Sequence, residues 1–150
     1  MKPIVYFFML FVGINSYSFA QNNSVKEDGA RDEFLSLFVR AQVANDVAVL
    51  KKLIDKDAAI FIPGKIDNMR ISRFDFLGMI RHTGTEQQRC TAYLEVLKAD
   101  PENFTARIDL NYATYTIQNF VKVEKKANTW KITELRKTFP AQPEPITVMQ

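Results

Sequence analysis

The chain offers few side chains that could transfer a proton or attack a substrate. His82 is the single histidine and Cys90 is the single cysteine. An imidazole accepts and releases protons near neutral pH, so His82 is a candidate general base at the mouth of a pocket. The alternative is a surface histidine favoured by the dipole of a helix end. The commonest zinc sites need several such ligands, so we predict no metal and no cofactor.

Two other residues could take part in chemistry. Asp109 is the second acid/base candidate, but it alternates with apolar Ile108 and Leu110 and should therefore face solvent. Cys90 lies in an alternating segment that favours a small buried side chain. An intermolecular disulfide, or a nucleophile that meets His82 in space, is the alternative for this thiol.

The first residues, 1–20, have the three parts of a secretory signal. Lys2 supplies positive charge, residues 4–14 form an apolar run, and residues 18–20 place small side chains before a cleavage site at Gln21. The alternative is a membrane anchor, but a bilayer span takes about 20 apolar residues. We therefore predict export, to the periplasm or the medium, with no membrane attachment after cleavage.

The rest of the chain is predicted to form one domain. Residues 21–30 are a polar, flexible leader, residues 31–139 form the domain, and residues 140–150 are a proline-containing tail. The chain has 20 Lys and Arg against 17 Asp and Glu, without a basic cluster, so nucleic acid is not a predicted partner. A single cysteine leaves no internal disulfide, so the core must stabilise the fold unaided.

Hydrophobic periodicity predicts three helices followed by a series of antiparallel strands. The helices begin near Arg31, Val47 and Ser72, and a strand over residues 57–62 separates the second from the third. After residue 88 the period changes to two. The predicted segments there are residues 89–99, 104–112, 117–123 and 130–135, with a possible short strand earlier at 69–71. We predict a phase change within residues 113–116, a hairpin turn at 127–128, and a core position for Trp130. The layout is an α+β fold.

At this point the chain resembles the nuclear transport factor 2-like superfamily, which includes the SnoaL-like and ketosteroid isomerase-like proteins. The resemblance rests on the helix–break–helix–strand passage of residues 38–61, on the short helix from Ser72, and on the terminal hairpin that ends at Thr129-Trp130-Lys131-Ile132. It implies a cone-shaped roll, in which a curved antiparallel sheet wraps around helices and a pocket opens at the wide end. Asp57 matches the acidic residue that commonly precedes the first strand in this superfamily, where it is usually structural.

The same resemblance implies a pocket without specifying a reaction. Enzymes of the superfamily typically use an Asp or His inside the cone as a base, often with a Tyr or Asp as an oxyanion donor. Aromatic side chains in such a pocket could stack on a flat ligand, although core packing is the alternative for each. The predicted pocket-lining residues are Phe61, Phe76, Met79, Tyr93, Tyr112, Tyr115 and Trp130.

Three functions fit these observations. The first is an exported domain that binds a small apolar or flat molecule. The sequence favours this function and the third over the second, because the acid–base candidates are so few. The second is a SnoaL-like isomerase or hydratase. The third is a protein-interaction module that uses the sheet, as a homodimer, because both faces of several predicted strands carry apolar groups. Triplets at Asn22 and Asn103 fit the glycosylation pattern, which matters only in a eukaryotic host.

Overall fold

The computed structural model describes residues 28–84 and 88–140. The predicted signal peptide, most of the predicted leader and the tail after Pro140 lie outside these residues. Contacts divide the chain into two compact units, residues 1–36 and 37–150.

Helix α1 covers residues 28–43 of the described chain. Its first residues, 28–30, belong to the segment that the sequence assigned to the leader. The carboxylate of Asp28 accepts a hydrogen bond from the Arg31 guanidinium at 2.7 Å, one turn along the helix. An acidic residue near the amino end and a basic partner three residues later both favour helix, which accounts for the earlier start.

The second unit contains residues 37–43 of α1 and all the remaining elements of an α+β fold, as predicted. Two helices and six strands follow α1 in the order α2 Val47–Leu53, β1 Ile54–Pro63, β2 Asn68–Ile71, α3 Arg73–His82, β3 Thr91–Ala99, β4 Asn103–Asn111, β5 Thr116–Lys126 and β6 Thr129–Thr138. Within residues 28–84 and 88–140, no helix is long and apolar enough to span a bilayer.

Side-chain caps start both short helices where the sequence predicts them. Asp46 accepts a hydrogen bond from the Val49 amide at 3.0 Å, after Asn45 has turned the chain with a φ of 53°. At α3, the Ser72 hydroxyl accepts from the Asp75 amide at 3.1 Å and donates to the Asp75 carboxylate at 2.6 Å. These bonds satisfy amides that the first helical turn leaves without a partner.

The first strand begins three residues earlier than the sequence indicated. Ile54 continues the apolar spacing of Val47, Leu50 and Leu53, which predicts that it ends the second helix, but it is 1% exposed, belongs to β1 and pairs with Ile132 of β6. Asp57 therefore lies inside the strand and is exposed, instead of preceding it. The strand ends at Pro63, and at the next residue, Gly64, a Cβ atom would lie 2.3 Å from the Asp67 carbonyl oxygen, so the turn into β2 requires glycine.

The strands form one sheet in the order β2-β1-β6-β5-β4-β3. All neighbours are antiparallel except β1 and β6, which run parallel. The register shifts in β1 between Ile54 and Ala59, in β3 after Val96, and in β6 at Thr133, opposite Lys122 and Val123 of β5. Bulges of this kind increase strand bending and twist, so one face of the sheet can close around the helices.

The core lies between the helices and the inward face of the sheet. Strand β4 alternates buried and half-buried residues along its length. Its buried side chains are Phe104, Ala106, Ile108 and Leu110, and they pack with those of β5, β6 and the helices, including Val121, Val123, Ile132, Leu135, Phe38, Leu50 and Phe76. The predicted phase change falls in the β4–β5 turn, where the Tyr112 amide donates to the Tyr115 carbonyl at 2.9 Å.

Trp130 is not the core residue that its apolar neighbours predicted. It is half-buried, because it pairs with Lys125 at the end of the β5–β6 hairpin, next to the turn at Ala127 and Asn128. One edge of its ring meets Phe104, with 5.1 Å between the ring centroids, and the Lys125 ammonium lies 4.9 Å from the Trp130 ring centroid. The indole therefore covers the margin of the core.

The outward face of the sheet is mixed in character. Its best-defined row crosses all six strands and consists of Glu95, Arg107, Phe120, Arg136, Phe61 and Arg70. The sequence predicted a large apolar patch here. Charged side chains instead separate the aromatic ones, because the residues between the apolar positions of these strands point to the same face.

Candidate functional site

A cavity of about 200 Å³ opens between α3 and the inward face of the sheet. Its apolar walls come from α3 and from strands on either side of the sheet centre. The apolar lining residues are Ile62, Phe76, Met79, Ile80, Leu110 and Ile117, and the polar ones are Gln42, Asn45, Thr83, Gln88, Tyr112 and Lys137. The mixture of a broad apolar surface and a few polar groups is typical of small-molecule sites.

Regular spacing places the apolar side chains on the cavity. Phe76, Met79, Ile80 and Thr83 follow one another at helical intervals and therefore share one face of α3 and its end. Opposite them, Leu110 of β4 pairs directly with Ile117 of β5, so both side chains reach the inward face at the same level.

Hydrogen bonds hold the polar wall together just before β3, around Gln88. The Tyr112 hydroxyl donates to the side-chain oxygen of Gln88. The Gln88 side-chain amide donates to Asn45 Oδ1 at 2.9 Å, and the Gln88 backbone amide donates to the Val43 carbonyl at 2.9 Å. Burial, with a smaller contribution from the nearby Cys90 thiol, raises the pKa of Tyr112 to about 12, so this phenol stays protonated at physiological pH.

Lys137 brings the one ammonium group to the described part of the cavity wall. It sits on β6 two residues after buried Leu135, which is the inward phase of the strand. Part of the side chain is exposed, yet protein atoms crowd the ammonium, and this desolvation lowers its pKa from 10.5 to about 8. The nitrogen lies 5.5 Å from the Phe76 ring centroid. Within residues 28–84 and 88–140, no carboxylate oxygen lies within 4.0 Å of it.

Two buried side-chain amides lie in the surroundings of Lys137: Gln42 lines the same cavity, and Asn119 is its neighbour across the β5–β6 pair. Gln42 is 5% exposed, lines the cavity, and its side-chain nitrogen has no hydrogen-bond partner among the described residues. Asn119 is fully buried and lies directly opposite Lys137 in the β5–β6 register. Its side-chain nitrogen donates to the Ile108 carbonyl at 3.2 Å, which leaves its oxygen as an uncharged acceptor.

The structure brings Phe76, Met79 and Tyr112 of the predicted pocket residues to the cavity wall. Tyr115 lies outside the wall and stacks on Tyr112, with 4.6 Å between the ring centroids. Trp130 lies at the distant hairpin end, as described above.

Phe61 and Tyr93 occupy outward positions of their strands. There the Arg136 guanidinium lies 4.4 Å from the Phe61 ring centroid, and the Arg107 guanidinium lies 5.9 Å from that of Tyr93. Their aromatic residue type predicted a place on the pocket wall, but residue type alone does not say which face of the sheet a side chain occupies.

The two predicted acid/base residues are also outside the cavity wall. His82 is exposed in the last turn of α3. Asp109 lies in an outward position of β4, and its carboxylate is 3.4 Å from the Arg107 guanidinium, which also contacts Glu95 at 3.1 Å. No cluster of three metal-binding side chains occurs within the residues that the structure describes.

Sequence reasoning missed the polar half of the site. Lys137 carried a usable signal, since it shares a strand face with Leu135 and so replaces an expected apolar residue. Gln42 carried a similar signal, because it adjoins Ala41 on the apolar stripe of α1. Gln88 carried no periodic signal, because it precedes β3 and is positioned by long-range hydrogen bonds.

Comparison with known proteins identifies the architecture. No protein-family model matches the sequence, and no curated protein matches it. Among solved structures, an NTF-2-like protein of unknown function from Silicibacter pomeroyi superposes with a TM-score of 0.68 at 14% identity, over 78% of this chain and 98% of the other. The chain has the NTF2-like fold. The fold that the sequence resemblance implied is thus confirmed.

Two other solved structures with different descriptions share this fold. A cystatin-like fold protein from Burkholderia xenovorans matches with a TM-score of 0.64 at 12% identity, over 79% of this chain and 95% of the other. A scytalone dehydratase-like protein from Novosphingobium aromaticivorans matches with a TM-score of 0.59 at 13% identity, over 81% of this chain and 89% of the other. Identities this low establish the shared NTF2-like fold and leave function to the site itself.

Proposed function

We propose that this protein is an exported binding domain that holds one small molecule in the cavity under α3. The observation that carries the proposal is the cavity itself, which joins a continuous apolar surface from α3 and the sheet to a polar wall around Lys137 and Tyr112. The residues predicted to do acid–base chemistry, His82 and Asp109, lie elsewhere. A binding role is therefore favoured over the catalytic one.

The size of the cavity limits the ligand. A dry cavity of about 150 Å³ is large enough to bind benzene in a well-studied protein. A cavity of about 200 Å³ should therefore accept a single ring with one short substituent. The Phe76 ring and the side chains of Ile80 and Ile117 offer the apolar contacts that a flat ligand needs.

Filling the cavity tests the proposal. A panel of one-ring compounds, each carrying a fluorine label, would be added to the purified protein and followed by fluorine NMR. We expect at least one compound to bind to the wild type and lose binding in Ile80→Trp, which places a larger side chain on the wall. Phe74→Trp is the matched control, since Phe74 lies on the same helix and is 82% exposed. Binding that survives in Ile80→Trp would place the ligand elsewhere and overturn the proposal.

One observation favours a catalytic alternative, an isomerase or hydratase acting on a small apolar substrate. Desolvation lowers the pKa of Lys137 to about 8, so a fraction of this amine is neutral near physiological pH and can accept a proton. A lysine base would exchange a carbon-bound hydrogen of a cavity ligand with solvent. Deuterium incorporation by the wild type and its loss in Lys137→Met would favour the enzyme.

We expect the exported form to begin at Gln21. The short apolar run of residues 4–14 and the small residues before Gln21 support cleavage there. Mass spectrometry of the protein from its native host, after cell fractionation, measures the amino terminus and the compartment together. Retention of residues 1–20 in a membrane fraction would contradict export.

We also propose that the domain pairs with a second copy through the outward face of its sheet. Phe61 and Phe120 alternate there with Arg107 and Arg136, and aromatic residues and arginine are enriched at protein interfaces. A two-fold dimer is the commonest arrangement for such a face. The alternative is a monomer in which residues 140–150 cover this face.

Sedimentation separates the dimer from the covered monomer. At tens of micromolar, we expect a dimer that Phe61→Lys dissociates, because the new charges would face each other across the two-fold axis. Phe74→Lys, at an exposed position of α3, is the control for added charge. A wild-type monomer that associates only after removal of residues 140–150 would reject the dimer.

A further inference from the structure

The cavity holds a cation without a matching anion. An ammonium removed from water is stabilised in proteins by a carboxylate or another anion, because isolated burial of charge is costly. The Lys137 ammonium is crowded by protein atoms and has no carboxylate within 4.0 Å in the described part of the chain. Asn119 lies opposite in the register and offers an oxygen, but it carries no negative charge.

A second observation indicates where the missing anion would bind. Gln42 lines the same cavity, is nine-tenths buried, and its side-chain nitrogen is a donor with no partner among the described residues. A buried donor that lacks an acceptor costs free energy, so such a group is expected to meet an acceptor in the functional state. An ammonium from β6 and an amide N–H from α1 that line one cavity together suit a carboxylate.

The rest of the wall defines the body of the ligand. Phe76 and Ile80 of α3 face Leu110 and Ile117 of the sheet, and none of these side chains can hydrogen-bond. The Phe76 ring also approaches the ammonium, with 5.5 Å between the nitrogen and the ring centroid. The apolar space therefore adjoins the charge, as a ring carrying one acidic group requires.

We infer that the cavity takes a small monocarboxylate with a single ring, whose carboxylate binds Lys137 and the Gln42 amide while the ring lies among Phe76, Ile80 and Ile117. The inference rests on the proposed function and specifies its ligand. It predicts binding that depends on charge as well as on shape.

Few ionisable side chains line the cavity, so the pH dependence of ligand affinity should report mainly on Lys137. Among the described residues, the ionisable side chains of the cavity wall are Lys137 and Tyr112, and α1, α3, β1, β4 and β5 contribute apolar, amide or hydroxyl groups. Burial raises the pKa of Tyr112 to about 12, so it remains neutral while Lys137 titrates near 8. The affinity for a carboxylate should therefore fall as the pH rises above roughly 8 and the ammonium loses its proton, until it reaches the affinity of the neutral amine.

The experiment compares benzoate with benzamide, its neutral isostere, by isothermal titration calorimetry near pH 7. We expect benzoate to bind at least about tenfold more tightly, because a hydrogen bond to a charged group is stronger than one between neutral groups. Lys137→Met should abolish this preference, and Gln42→Leu should reduce it. Lys98→Met is the control for lost charge, since Lys98 is on the surface of β3 with 73% of its side chain exposed.

The outcomes distinguish the two proposals. Equal affinity for benzoate and benzamide would overturn the carboxylate inference and leave the binding function intact. Failure of both compounds at millimolar concentration would overturn the inference, and the fluorine-labelled panel would then decide the binding function separately. If Lys137→Met does not fold, the wild type alone gives the answer. A benzoate preference unchanged between about pH 7 and 9.5 would show that the ammonium does not bind the ligand.

Discussion

Phe104→Ala is expected to lower the free energy of unfolding by about 3–5 kcal/mol, the usual cost of truncating a large core residue. Phe104 is 1% exposed, near the start of β4, and pairs in register with Val123 of β5. Its ring also supports Trp130 across an edge-to-face contact of 5.1 Å between centroids. Truncation would leave a cavity and remove the support of the β5–β6 hairpin end. Urea unfolding followed by tryptophan fluorescence measures both effects, since Trp130 is the only tryptophan.

Phe74→Ala is the matched control for this truncation. Phe74 lies in the first turn of α3 and is 82% exposed, so the same change there should alter stability by less than about 0.5 kcal/mol. Phe104→Leu should recover most of the loss, because it restores much of the missing volume. A cost below about 1.5 kcal/mol for Phe104→Ala would mean that the core around β4 collapses to fill the space.

Local chemistry made the order of elements predictable from the sequence. Ser72 and Asp75 cap α3 and Asp46 caps α2 through hydrogen bonds between residues close in the chain, so residue type and spacing were sufficient. The same holds for the β5–β6 turn, where Ala127 and Asn128 both adopt positive φ, as a two-residue hairpin requires. Strands β3 to β6 follow one another by short turns, which made their antiparallel pairing predictable.

Long-range pairing set the features that the sequence did not reveal. The start of β1 at Ile54 depends on a parallel partner in β6 almost eighty residues away. Phe61 and Tyr93 have the residue types of pocket walls, but strand phase turns both to the outward face. Trp130 belongs to an apolar cluster in the sequence, but its place at a hairpin end leaves it half-buried. Residue type suggests which side chains could contact a ligand, but the register of strand pairing determines which of them face the cavity.

The polar wall of the cavity follows the same rule. Gln88 reaches Asn45 and the Val43 carbonyl across more than forty residues, a contact that no local pattern encodes. Lys137 differs, because it lies only two residues after buried Leu135, just beyond the predicted strand, and so shares the inward strand face of Leu135. A polar residue that interrupts a regular apolar face is a useful sign of a functional site, since burying it costs stability.

Replacing that lysine should stabilise the protein. We expect Lys137→Met to raise the free energy of unfolding near pH 7 by about 1–3 kcal/mol, because methionine fills similar volume without a desolvated charge. Desolvation lowers the pKa of Lys137 from 10.5 to about 8 in the folded state. Between about pH 8 and pH 10.5 the Lys137 amine is protonated in the unfolded chain but neutral in the folded protein. The stability of the wild type therefore rises with pH over this range and falls again as the pH is lowered towards 8.

The variant should therefore lack this rise. Urea unfolding of wild type and Lys137→Met at intervals from about pH 7 to 9.5 gives the difference between them, which should shrink as pH increases. The pH range stops below about 10, where tyrosines in the unfolded chain begin to ionise. The pKa of Tyr112 in the folded protein is about 12, so above pH 10 the ionisation of this residue in the unfolded chain would lower the stability and obscure the effect of Lys137. Lys98→Met removes an exposed charge and should leave a constant difference. A variant less stable than wild type near pH 7 would show that the Lys137 ammonium makes a net stabilising contact in the unliganded protein, and would contradict an ammonium that awaits an anionic ligand.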